Sequence, residues 1–235
     1  MFDIVFANGC SYTQGSSLGG KNLSAHPVAH VPGRFSERVA KHFDADHYNI
    51  AAGGAGQDKI FRTTIDWIEL NKDVLENKKV LFILGLSEPA RGEMYVNSIG
   101  DYSKFNLYND DSIVQRISVD SNSITKEEIE DFAKLYLTEF FNDEERIKLQ
   151  HKLIKALIAY INIHVPNNEI FIFNSLGKFP DWFREDLKLD DTFKPSWDSY
   201  IVNFKLNPPG VGHPREAAHM DMGDYIILKY DERYG

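Results

Sequence analysis

Phe2-Asp3-Ile4-Val5-Phe6-Ala7 runs directly into Asn8-Gly9-Cys10-Ser11-Tyr12-Thr13-Gln14-Gly15. A short apolar run rich in β-formers, stopped by glycine, is the pattern of a buried strand in a parallel sheet. Ligands of open parallel sheets sit beyond the carboxyl ends of the strands, so the residues after Ala7 stand where chemistry is expected. Gly9 is read as a sharp turn that lifts the Ser11 hydroxyl clear of the sheet edge. Ser11 is therefore a candidate nucleophile. Glycine and serine are equally at home in a solvated turn, and this stretch alone does not separate the two readings.

Working outward, 15–33 reads as a loop of unusual length for a βα connection. Phe35, Val39 and Phe43 share one helical face, which predicts a helix over 33–43. Tyr48 to Ala51 reads as a second strand, ended by Ala52-Gly53-Gly54-Ala55-Gly56, and a helix follows over about 57–72. Lys79 to Gly85, Lys-Val-Leu-Phe-Ile-Leu-Gly, is the clearest buried strand. This β-α-β-α-β order predicts a parallel sheet with right-handed crossovers. Glu93 to Ser123 is polar and weakly patterned, and the region of about 93–142 reads as a mainly helical insertion or lid within a single domain, 1–235. Thr125-Lys126-Glu127-Glu128 has the form of a capping box and predicts a helix to about Phe141. Asn142 to Glu145 repeats the device and predicts a longer helix to about His164, with Ile147, Ile154, Ile158 and Ile161 facing inward. Glu169 to Phe173 reads as a strand, 175–209 as irregular, and Arg215 to Tyr230 as a closing helix.

The 235 residues are 43% hydrophobic, enough for one full core. A net charge of -9 and a pI of about 5.4 argue against nucleic acid as a partner, since phosphate-backbone binding needs a basic surface. Cys10 is the only cysteine, so no intramolecular disulfide is possible. The first residues lack a signal-peptide pattern, and no run of about eighteen apolar residues exists to span a membrane. The expected location is the cytoplasm, a host's cytoplasm for a viral source.

Four segments carry unusual chemistry. Besides Ser11, Gly53-Gly54-Ala55-Gly56 offers unobstructed N–H groups ahead of a helix, which suits an anion or oxyanion. Gly85-Leu86-Ser87-Glu88-Pro89-Ala90-Arg91 follows the third strand. Gly212-His213-Pro214 precedes the last helix. In their order, these resemble the four motif blocks of the SGNH hydrolases, the GDSL esterase/lipase superfamily. Gly9-Cys10-Ser11-Tyr12-Thr13 resembles the first block, with Cys10 where most members carry aspartate, a variant similar to a divergent branch of phage proteins. Asn49 to Asp58 resembles the second block, Gly85-Leu86-Ser87-Glu88 the third and Gly212-His213-Pro214 the last.

The resemblance implies a three-layer α/β/α flavodoxin-like fold and a serine esterase without metal or organic cofactor. Ser11 would attack, with His213 as general base, and Ser11, Gly54 and Ser87 would form the oxyanion hole. Gln57 and Arg91 are possible substrate contacts. The substrate would be an acyl or acetyl ester of a small molecule, sugar or lipid; the oligomeric state is left open. Two positions depart from the family. Ser87 stands for an asparagine donor, and no carboxylate lies just before His213. Either a backbone carbonyl orients His213, or Asp190, Asp191 or Asp198 does, or the protein is an impaired enzyme that binds, for example in a virion. A nucleotide or phosphate binder is a further rival.

Other features have plainer readings. Gly15-Ser16-Ser17-Leu18-Gly19-Gly20-Lys21-Asn22 nearly spells a P-loop, but lacks the preceding strand, the final Ser or Thr, and the following helix. His26 and His30 are separated by Pro27, which speaks against paired ligation on a helix. Cys10 reads as small buried filler, His219 as a structural or surface residue, and Glu88 with Arg91 as a local ion pair.

Overall fold

The computed structural model describes residues 1–16, 18, 33–96, 101–106, 131, 135, 142–190, 192, 196–204 and 213–234. Strands β1 (Ile4–Gly9), β2 (Asp46–Asn49), β3 (Val80–Leu86) and β6 (Asn168–Asn174) form a parallel sheet in the order β2-β1-β3-β6. The register pairs Ile4 with Asp46, Gly9 with Gly85, and Gly85 with Phe173, so the carboxyl ends of β1, β3 and β6 are level.

Side chains alternate across this sheet, as a pleated strand requires. Val5, Ala7, Leu81, Ile83, Phe171 and Phe173 face one core. That core is closed by Phe35, Val39 and Phe43 of α2 (Phe35–Phe43), by Trp197 and Ile201 of α7 (Trp197–Asn203), and by α8 (Glu216–Tyr234). Ala218, Met222, Ile226 and Tyr230 recur every four residues on α8 and give it one buried stripe. Ile4, Phe6, Val80, Phe82, Leu84 and Ile172 face the second core. Trp67 and Ile68 of α3 (Gln57–Leu70), Ile154, Leu157 and Ile161 of α5 (Asp143–His164), and Phe183 of α6 (Asp181–Asp186) pack there. The result is the three-layer α/β/α arrangement. Two four-residue helices, α1 (Ser11–Gln14) and α4 (Lys72–Leu75), complete the helical elements.

The long helix begins where its cap predicts, with the Asn142 side chain accepting from the Glu145 N–H at 3.0 Å. The second strand lies two residues earlier than the apolar pattern suggests, over Asp46–Asn49 rather than Tyr48–Ala51. It is an edge strand paired only with β1, so its pattern need not be apolar. The polar stretch after the third strand contains a hairpin, with β4 (Arg91–Val96) antiparallel to β5 (Asp101–Asn106). The segment 175–209 holds α6 and α7, both too short for periodicity to reveal. Of the helix expected from Thr125, only Asp131 and Leu135 are described, and both are helical. His26, His30 and most of the near P-loop lie outside the described residues. No described helix is long and apolar enough to cross a membrane.

Candidate active site

The end of β1 is tied down by hydrogen bonds ahead of Ser11. Asn8, 2% exposed, donates through Nδ2 to Ile60 O, Thr63 Oγ1 and Thr64 Oγ1 at 2.9–3.2 Å and accepts from the Gly9 N–H at 2.8 Å. Gly9 does not adopt a left-handed conformation. Its need for glycine is close approach: a Cβ there would overlap Thr13 Oγ1 and stand 2.8 Å from Gly85 O. Cys10 is fully buried, and burial pushes its thiol pKa up. Ser11 opens α1, where the first N–H has no intrahelical acceptor.

His213, at the foot of α8, places Nε2 3.0 Å from Ser11 Oγ. This is the distance that general-base catalysis needs. The Tyr12 ring stands edge-on to the His213 ring, with centroids 5.5 Å apart and planes at 88°. The Tyr12 hydroxyl donates to Asp198 Oδ1 at 2.6 Å. Burial, then the hydrogen bond to Asp198, raises the Tyr12 pKa and keeps the phenol a donor. Asp198 sits in the first turn of α7, whose cap Ser196 accepts from the Ser199 N–H at 3.2 Å. The His213 imidazole is held below its ordinary pKa by desolvation first, then by the positive charges of Arg91 and Arg215, while Asp198 pulls it upward. His213 is exposed as a residue, while its ring contacts Ser11 and Tyr12.

The second loop lies against Ser11. Ile50 N and Ala52 N donate to Ala7 O and Gly9 O at 3.0 Å each, carrying the chain past the end of β1. Ala55 N closes the turn onto Ala52 O at 3.0 Å, and Gly54 within it has φ 72°. A Cβ on Gly53 would be 3.9 Å from Ser11 Cβ, so the first glycine of this loop borders the Ser11 side chain. Among the described residues the Gly54 N–H has no acceptor. Asn49 ties the loop to α1: Nδ2 donates to Thr13 O at 2.9 Å and Ser36 Oγ at 3.1 Å, and Oδ1 accepts from Ala51 N at 3.1 Å.

The third loop is braced from behind. Ser87 is fully buried, and its Oγ accepts from Arg91 Nη1 at 3.3 Å. Gln57 is fully buried too and donates to Ser87 O at 2.7 Å, so it supports the loop from below. Asp190, one of the three acids considered for His213, is occupied by an ion pair with Lys229 and by the Tyr225 hydroxyl at 2.9 Å. Asp191 lies outside the described residues, as do Gly210, Val211 and Gly212. Asp198 is the acid whose charge reaches His213, and its link through Tyr12 spans 186 residues. Among the described residues no group of three His, Cys, Asp or Glu side chains could hold a metal ion.

No protein-family model matches the chain, and no curated protein matches it. Solved structures do. An acetyl xylan esterase from Butyrivibrio proteoclasticus is 12% identical with a TM-score of 0.51, over 99% of this chain and 64% of that one. A psychrotrophic esterase from Pseudoalteromonas sp. is 12% identical with a TM-score of 0.49, over 98% and 99% of the two chains. An extracellular lipase from Streptomyces rimosus is 11% identical with a TM-score of 0.43, over 97% and 98%. The likeness is one of fold, shared with the acetyl xylan esterase across nearly the whole of this chain.

Proposed function

We propose that this protein is a serine ester hydrolase of the SGNH type, acting on an acyl or acetyl ester of a small molecule, sugar or lipid. The 3.0 Å contact between Ser11 Oγ and His213 Nε2 carries the reading. His213 takes the Ser11 proton as Oγ bonds to the ester carbonyl carbon. The resulting oxyanion is held in this scheme by the backbone N–H groups of Ser11 and Gly54. The bond from carbon to the alcohol oxygen then breaks, and the imidazolium returns the proton to the departing alkoxide. In the second half, water loses a proton to His213, attacks the acyl carbon, and releases the acid and free Ser11.

Asp198 supplies the negative charge that stabilises the imidazolium in this scheme, held in place by the Tyr12 hydroxyl. Ser87 Oγ accepts from Arg91, which leaves its own O–H to serve as a third donor to the oxyanion in this reading. The test is covalent labelling by a fluorophosphonate, followed by peptide mapping, on the native protein and Ser11→Ala. Label on Ser11 together with ester turnover that disappears in Ser11→Ala is the expected result. Folded protein that takes no label and cleaves no ester is instead a binding protein on this fold.

A further inference from the structure

Beside the nucleophile stands a cation with donors to spare. Arg91 begins β4, and its side chain is 12% exposed. A guanidinium presents five N–H donors in a planar fork. Among the described residues, its only hydrogen-bond acceptor is Ser87 Oγ, reached by Nη1 at 3.3 Å. Glu88 Oε2 lies 3.1 Å from Nε, close enough for an ion pair, yet Nε makes no hydrogen bond. One partly exposed carboxylate therefore accounts for the charge but not for the fork.

The backbone beneath Arg91 is fixed. Its carbonyl accepts from Arg146 Nη2 at 3.2 Å, and the same nitrogen donates to both Asp58 oxygens at 2.9 and 3.1 Å. Pro89 O accepts from Gln150 Nε2 at 2.9 Å, and Gly56 leaves no room for a Cβ against Arg91 O. The sheet places this cation at the site. Gly9 pairs with Gly85, so Ser11 and Ser87 each stand two residues beyond paired glycines on neighbouring strands. The charge of Arg91 reaches His213, Tyr12 and Cys10 alike, and Arg215 adds a second positive charge at His213. In a chain of net charge -9, a braced and largely desolvated cation at this point runs against the general surface.

We infer that the ester cleaved at Ser11 carries a second, ionised oxyacid group, carboxylate or phosphate, which the Arg91 guanidinium binds. The inference rests on the reading of Ser11 as nucleophile and narrows its substrate class. Guanidinium forks match carboxylate and phosphate oxygens in pairs, so the group would fix the direction from which the scissile carbonyl enters.

The test compares kcat/KM for esters that differ in charge alone. Mono-4-nitrophenyl glutarate against its methyl ester puts the charge on the acyl side, and 4-acetoxybenzoate against its methyl ester puts it on the alcohol side. With 4-acetoxyphenyl phosphate as a third arm, phosphate is told from carboxylate. A charge-assisted pair predicts that in at least one arm the anion is favoured about 10- to 100-fold. Arg91→Gln should collapse that ratio, and Arg91→Lys, which keeps charge without the fork, should retain part of it. Circular dichroism and Ser11 labelling establish that each variant is folded. Equal rates for anionic and neutral esters in every arm, with Ser11 still labelled, overturn the inference and leave the hydrolase standing. So does an anion preference that survives Arg91→Gln. If Ser11 takes no label and no ester is cleaved, the hydrolase reading fails. Saturation-transfer NMR with 4-acetoxybenzoate then decides the anion site: binding lost in Arg91→Gln upholds it, and no Arg91-dependent binding ends it.

Discussion

Replacing His219 by phenylalanine should flatten the acid side of the protein's stability curve. His219 is fully buried, stacks on Phe35 with centroids 5.6 Å apart, and stands edge-on to Trp197 at 5.2 Å. Its Nδ1 accepts the Phe35 N–H at 3.4 Å, one of the orphan donors at the start of α2, and Nε2 has no partner among the described residues. Burial, and then the charge of Arg34, push its pKa from the ordinary 6.5 down to about 3. The folded protein keeps the ring neutral where the unfolded chain protonates it. Because the folded value is the depressed one, the unfolded state binds the extra proton between about 6.5 and about 3. Stability is unaffected above that window and falls as pH drops through it, by about 1.4 kcal/mol per pH unit. From pH 7 to pH 5 this single ring removes about 2 kcal/mol.

Urea unfolding of the native protein, His219→Phe and His219→Gln at pH 7, 6 and 5 measures it. Phenylalanine loses the hydrogen bond at every pH, about 1 kcal/mol, which lowers the level and leaves the slope alone. Carboxylate contributions are common to all three proteins and cancel in the difference. Equal pH slopes for native and variant proteins would refute the reasoning, as would a His219 ring resonance that titrates near pH 6 in the folded state.

Two further outcomes follow from the same geometry. The acid limb of ester hydrolysis should inflect below the ordinary histidine pKa, because desolvation, Arg91 and Arg215 outweigh Asp198 at His213; Asp198→Asn should move it lower still, and a pH profile of kcat/KM shifted upward would contradict both. Asn49→Ala strips partners from Thr13 O and Ala51 N behind the nucleophile. It should cost about 1–3 kcal/mol in chemical denaturation, and an unchanged midpoint would show that α1 is held by other contacts.

The strands were legible where burial on both faces left a continuous apolar run, as in Val80–Leu86 and Ile4–Ala7. The edge strand was misplaced because Asp46-His47-Tyr48 has one pairing partner and needs no such run. The Ser11 and His213 segments were legible because each follows or precedes an element with a clear signal. Gly9 was read as a turn, but its neighbours Thr13 and Gly85 impose the demand for glycine, and one of those lies on another strand. The Tyr12–Asp198 bond, the burial of Gln57 and the bracing of Arg91 by Arg146 were not legible. Each joins residues whose proximity is created by tertiary packing, and no local spacing encodes it.

The hydroxyl and the imidazole are separated by 202 positions of chain. In vectorial synthesis the segment bearing Ser11 leaves the ribosome long before the one bearing His213. During that interval the serine is an ordinary alcohol, with no base to take its proton. On the proposed hydrolase reading, the centre is complete only once the segment leading into α8 has brought His213 to Ser11. A chain ending anywhere between Asn174 and His213 would keep all four described strands of the sheet and lack the imidazole that faces Ser11.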